Sequence, residues 1–186
     1  MPINQQPTNL VWLDLETTGI DVETRKIIEI ATIITDRELN VLEEGPDLII
    51  HQPDGVLEAM DEWCVKQHGE SGLTQSVKES SISLREAERQ TLEFVARHCP
   101  PKACPLCGNS ICFDRRFIMQ YMPALNAHLN YRNVDVSSIK ELAYRWYPSA
   151  TKQLEKDTTH RAMDDIRESI EELRHYRRVI FRGPDA

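Results

Sequence analysis

The chain has 186 residues, 40% hydrophobic and 28% charged, which allows one domain with a hydrophobic core and excludes a mainly disordered protein. Its formal net charge of −8 excludes a protein that draws its affinity from a long nucleic-acid duplex, since that requires many Lys and Arg contacts to phosphates. No apolar run reaches membrane-spanning length, and Met1 to Leu10 lacks the basic and apolar stretches of an export signal, so no membrane association and a cytoplasmic location are expected.

The sequence predicts a loose tail over residues 1–8. Asn9 to Glu16 then reads as a strand, with Val11, Leu13 and Leu15 alternating against Trp12, Asp14 and Glu16. Ile27 to Thr35 is a β-branched run, Asp36-Arg37-Glu38 a polar turn, and Leu39 to His51 a third strand region interrupted at Gly45-Pro46. Strands spaced so closely suggest an antiparallel meander. A helix is expected from Val56 to His68, ended by Gly69. Ser83-Leu84-Arg85-Glu86 has capping-box form and opens a helix that Pro100-Pro101 stops near Cys99. Ala103 to Ser110 reads as a strand and Asp114 to Tyr121 as a helix, and Pro123 suits a first helical position. Asn133 to Val136 is expected as a short strand, followed by a helix capped at Ser138. The last helix runs from near Arg161 to Ile180, with Ala162, Ile166, Ile170, Leu173 and Val179 near one face. Together these elements predict an α/β fold in a single domain: a mixed sheet, part antiparallel meander and part parallel, flanked by helices.

Five cysteines (Cys64, Cys99, Cys104, Cys107 and Cys112) are an odd set, read as reduced thiols. Cys104 and Cys107 form a CxxC with His98, Cys99 and Cys112 nearby, which could offer zinc ligands. No second ligand pair follows at comparable spacing, so a buried strand that happens to contain cysteine is the plainer reading.

The chemistry concentrates at three places. On a strand, Asp14 and Glu16 project from the same face. Two acids ending an apolar strand are either solvated or held by a hard divalent cation, magnesium or manganese. Asp114 follows Gly108-Asn109-Ser110-Ile111-Cys112-Phe113 and, taken alone, reads as a helix N-cap. His160 precedes Asp165 by five residues; a His near a cation and a water can take a proton at neutral pH. Asp164 faces another way and reads as solvated or structural.

In this order, Asp14-Leu15-Glu16-Thr17-Thr18-Gly19, Phe113-Asp114 and His160 with Asp165 resemble the three motifs of the DnaQ-like (DEDDh) 3′→5′ exonuclease superfamily. An acidic net charge fits such a site, which stays negative until cations bind. Arg25 to Thr32, Gly45-Pro46, Met60 to Trp63, Gly108 to Ser110, Asp135 to Ser138 and Met163 to Ser169 extend the resemblance to the oligoribonuclease family over nearly the whole chain. Thr17 and Cys112-Phe113 depart from that family toward the general superfamily form, and Ser138 stands for a usual Thr.

The resemblance implies a ribonuclease H-like fold and two Mg2+ or Mn2+ ions per site held by Asp14, Glu16, Asp114 and Asp165, with His160 as general base. It implies a homodimer acting on very short single-stranded RNA, especially dinucleotides, including the linear products of cyclic dinucleotides. Ile20 and Trp63 would stack on the bases, and His68 would lie beside the substrate. Ser110, Arg132, Ser137 and Ser138 would hold the 5′ phosphate, with Tyr131 arriving from the partner. Alone, Trp63 reads as a core residue, His68 as a helix-end residue and Arg132 as a surface ion-pair partner. The alternatives are a DNA exonuclease of the same fold and a non-catalytic nucleic-acid-binding module.

Overall fold

In a computed structural model, residues 5–151 and 161–181 are described. Five strands form one mixed sheet in the order β3-β2-β1-β4-β5. β1 (Leu10–Thr17), β2 (Ile27–Thr35) and β3 (Val41–Ile49) make the antiparallel meander, and β4 (Leu106–Gly108) and β5 (Asn133–Asp135) add in parallel beyond β1. This is the mixed sheet expected from the sequence, in the ribonuclease H-like arrangement that the resemblance implies.

Both faces of the sheet are covered, so β2 is buried along its whole length. On one face Val11, Leu13 and Leu15 pack with Ile30, Ile34 and Leu48 against α4 (Leu84–His98), α5 (Cys112–Tyr121) and α6 (Pro123–His128). On the other, Trp12, Ala31 and Ile33 pack against α7 (Val136–Trp146) and α9 (Ala162–Val179). Trp12 fits this interior because its indole Nε1–H donates to Thr35 Oγ1 at 3.0 Å. A smaller cluster of Ile28, Leu57, Met60, Cys64, Leu73 and Val77 lies under α1 (Asp54–Glu58), α2 (Glu62–Glu70) and α3 (Leu73–Glu79).

Several boundaries differ from the sequence expectation, each for a local reason. The helix expected over residues 56–68 is two helices, because Arg25 bonds the Ala59 carbonyl and the Asp61 carboxylate, and Asp61 N–H donates to Thr18 O at 3.1 Å. Gly69 lies inside α2; Gly72, with φ 75°, makes the turn into α3, which was not expected. The strand expected from Ala103 to Ser110 is only Leu106–Gly108: the Pro105 carbonyl still accepts from Val11 N–H, and Ser110 adopts φ 50°. Asp135, rather than Ser138, caps α7 by accepting from Ser137 N–H at 3.0 Å. α5 starts at Cys112, so Asp114 sits in its first turn and is not its cap. Val179 is exposed at the end of α9, where Tyr176 is the buried residue. A short α8 (Pro148–Thr151) was also not expected. In the segment expected to be loose, Gln6 N–H donates to His98 O at 3.0 Å and the Cys104 thiol to Gln6 O at 3.3 Å. Cys107 is fully buried in β4, its thiol donating to Pro105 O.

Candidate active site

The site forms where β4 stops pairing. β4 pairs with β1 only at Val11 and Trp12, so the β1 edge beyond them lacks a strand neighbour. The first turn of α5 fills the gap: Asp114 Oδ1 accepts from Leu15 N–H at 3.0 Å. On the same stretch of β1, Asp14 and Glu16 project toward α9, whose first turn carries Asp165. Ligand oxygens of Asp14, Glu16 and Asp165 all lie within 4.8 Å of one another.

Such crowding is electrostatically costly. Asp14 is held well above the ordinary carboxylate range by burial first, then by Asp114, Glu16, Asp165 and Glu29. Glu16 is pushed up to about 8 by burial and by Asp165, Glu29 and Asp114, with Arg161 opposing. Asp114 also reaches about 8, through burial that its accepted backbone hydrogen bonds only partly offset. Carboxylates held this way favour protons or a cation over empty ionisation. An all-oxygen donor set of this spacing suits a hard divalent ion.

A cleft of about 270 Å3 opens beside Glu16, lined by Gly19, Ile20, Trp63, Cys64, His68 and Phe113 among others. Ile20 is 75% exposed and Trp63 61%, so Trp63 is not a core residue. His68 is buried; its Nε2–H donates to Thr17 O at 2.9 Å and its Nδ1 lies 3.9 Å from Glu16 Oε2. Gly19 has φ 151°, and a Cβ there would strike the Asp61 carboxylate, so only glycine lets this loop sit against α2.

Ser110, Ser137 and Ser138 gather at the ends of β4 and β5. Ser110 N–H donates to Ser137 Oγ at 2.9 Å, Ser137 Oγ to Asn109 Oδ1 at 3.1 Å, and Ser138 Oγ to Asp135 Oδ2 at 3.1 Å. The Arg132 guanidinium lies over the Tyr131 ring, 4.8 Å from its centroid. Tyr131 is 77% exposed and lines a separate depression with Arg115, Met119 and Leu129, apart from the Ile20–Trp63 cleft. Asp164 pairs with Arg167 at 2.9 Å. His160 lies outside the described residues.

Sequence reasoning did not single out Glu29 and Arg161 as a pair. Glu29 is fully buried opposite Glu16 and accepts from Arg161 Nε and Nη2 at 2.9 and 2.6 Å. A lone Glu inside Ile27-Ile28-Glu29-Ile30-Ala31 is the available signal, because a buried acid demands a partner. Asp47, pushed up to about 6 by burial and by Glu29, lies in the same group.

The fold and its acidic cluster define a nuclease of the exonuclease class: residues 11–173 match the RNase_T family model, described as an exonuclease. An oligoribonuclease of Marinobacter nauticus is 59% identical over 173 residues, covering 93% of this chain and 96% of that one. One from Pseudomonas aeruginosa is 57% identical with the same coverage, and one from Acinetobacter baylyi is 55% identical over 176 residues, 95% of this chain and 96% of its own. The chain belongs to the oligoribonuclease family.

Among solved structures, exonuclease I of Methylocaldum szegediense superposes with a TM-score of 0.70 at 20% identity over 92% of this chain. The zinc-bound complex of E. coli exonuclease I with single-stranded DNA gives 0.73 at 16% over 93%. This chain covers 41% of each of those longer chains, and the likeness at such identity speaks for the fold alone. Among the described residues, no helix is long and apolar enough to cross a membrane.

Proposed function

We propose that the chain is a 3′→5′ exoribonuclease that hydrolyses very short RNA, dinucleotides above all, to nucleoside 5′-monophosphates in the cytoplasm. The observation that carries this reading is the convergence of Asp14, Glu16 and Asp165 oxygens within 4.8 Å of one another, with Asp114 against the same strand. Four carboxylates suit two ions, Mg2+ or Mn2+, per site. When bound, these ions supply Lewis acidity toward the scissile phosphate and lower the pKa of the attacking water.

The remaining roles fall to the chain's own groups. His160 takes the proton from the water, an assignment resting on its motif position alone. Ile20 and Trp63 receive the bases, supported by their exposure at the mouth of the cleft; stacking of this kind tolerates any sequence. His68, anchored on Thr17 O, fixes the cleft wall beside Glu16. Ser110, Ser137, Ser138 and Arg132 hold the 5′ phosphate, and Tyr131 of the partner subunit completes the site in a homodimer. The exposure of Tyr131 away from its own cleft supports that arrangement. A capped 5′ end turns the groove into a length gauge.

The test is incubation with 5′-phosphorylated RNA dinucleotides and Mg2+, with a twenty-nucleotide RNA and its DNA counterpart in parallel. Mononucleotides should appear fastest from the dinucleotide. Equal or faster cleavage of the long RNA defeats the short-RNA reading, and preference for DNA favours a repair-type exonuclease.

A further inference from the structure

One ion pair, its acid fully buried and its base partly exposed, stands beside the acidic cluster. Glu29 is fully buried in mid-sheet, directly across the ladder from Glu16. Its Oε1 accepts both Nε and Nη2 of Arg161, and its Oε2 faces the backbone N–H of Ala162 at 3.4 Å. Arg161 is the N-cap of α9 and its side chain makes no capping bond, so β2 supplies the acceptor that the helix entrance lacks. Asp165 N–H in turn donates to Arg161 O at 3.1 Å. The anchor is therefore one helical turn from the carboxylate that α9 contributes.

Charge points the same way. Glu16, Glu29, Asp47 and Asp164 all lie close enough to the Arg161 guanidinium to be influenced by its charge. Across the ladder from Asp14 stands Ala31, whose small side chain leaves room for the helix to approach. The guanidinium neutralises Glu29 through Oε1 and Oε2 is turned to the Ala162 N–H, so this carboxylate is committed to the helix entrance rather than to the divalent ions.

We propose that the Glu29–Arg161 pair is the positioning device of the cation site, pinning the first turn of α9 so that Asp165 meets Asp14 and Glu16. The inference rests on the metal-dependent reading above. Neither residue touches substrate; each acts through Asp165.

The experiment measures Mn2+ binding by calorimetry without substrate, together with thermal midpoints in EDTA and kcat and KM on a dinucleotide. Glu29→Gln and Arg161→Met should each weaken Mn2+ binding by about 10- to 100-fold, the range for groups that orient metal ligands. kcat should fall while KM for the dinucleotide stays near wild type, and added Mn2+ should recover part of the rate. Arg161→Lys keeps the charge but loses the two-nitrogen contact, and should bind Mn2+ with intermediate affinity. Glu44→Gln breaks the exposed Glu44–Arg167 pair that ties the same helix to β3, and should leave Mn2+ affinity unchanged. Wild-type Mn2+ affinity and kcat in folded Glu29→Gln or Arg161→Met, whatever their thermal midpoints, would overturn the proposal. If both fail to fold, wild-type affinity in Arg161→Lys overturns it. Absence of Mn2+ binding in the wild type sinks the metal reading first and this inference with it.

Discussion

Glu16 and Asp114 carry carboxyls that the folded chain keeps protonated far above their ordinary range. Glu16 moves from 4.5 to about 8 and Asp114 from 3.8 to about 8, both through burial first. Without cations, the folded chain therefore binds more protons than the unfolded one between those limits. Stability from these groups is complete at the acidic end and lost as pH rises toward 8. Thermal unfolding in EDTA should give a lower midpoint at about pH 8 than at about pH 5. Mg2+ should raise the midpoint at the higher pH and do little at the lower, where protons compete for the same oxygens. Equal midpoints in EDTA would contradict the crowding described here. Asp14→Ala should reduce hydrolysis of a dinucleotide by at least about 10³-fold, because it removes an oxygen ligand from the cation site. Surviving metal-dependent activity would mean that the site is elsewhere. Trp63 tests a different function. Its exposure means that Trp63→Ala should leave the thermal midpoint nearly unchanged while raising KM for the dinucleotide about tenfold, within the range of a lost base-stacking contact.

At the scale of elements, the motifs work because each ends where another begins. β1 bears two acids, α5 meets its open edge, and α9 crosses β1 and β2 with Asp165 in its first turn. Gly19 joins this arrangement to α2, so Gly19→Ala should destabilise the chain and weaken substrate binding together, measurable as a lower thermal midpoint and a higher KM. α4 supplies the contrast. Ser83 Oγ accepts from Glu86 N–H at 3.2 Å, as its capping-box sequence predicts. Ser83→Ala should cost about 1 kcal/mol in chemical denaturation and leave kcat unchanged, because α4 carries none of the proposed ligands. Capping chemistry of this sort is legible in sequence because it is local. The break between α1 and α2 is not, because Arg25 and Thr18 impose it from another part of the chain.

For the whole molecule, the proposed action of a chain of net charge −8 on dinucleotides predicts shallow salt dependence. The logarithm of binding to a dinucleotide should fall with log salt with a slope of about −0.7 per phosphate neutralised, so a slope several times steeper would point to a longer binding track. Tyr131 and Arg132 extend the argument to assembly. Sedimentation should show a dimer, and Tyr131→Ala should lower dinucleotide turnover with the dimer intact; a monomer of full activity would remove the partner from the site.

Periodicity was sufficient for α9 and for the strand that presents Asp14 and Glu16, and a capping box, a proline pair and a β-branched run for α4 and the meander, because all of these are properties of neighbouring residues. Asp114 and Asp165 were singled out by the resemblance to the superfamily's motifs, since Asp114 taken alone reads as a helix cap. Their meeting with Asp14 and Glu16, the hidden Glu29–Arg161 pair and the exposure of Trp63 were decided only by tertiary structure. Such contacts join residues far apart in the chain, and their energies depend on burial and distance that no local pattern records.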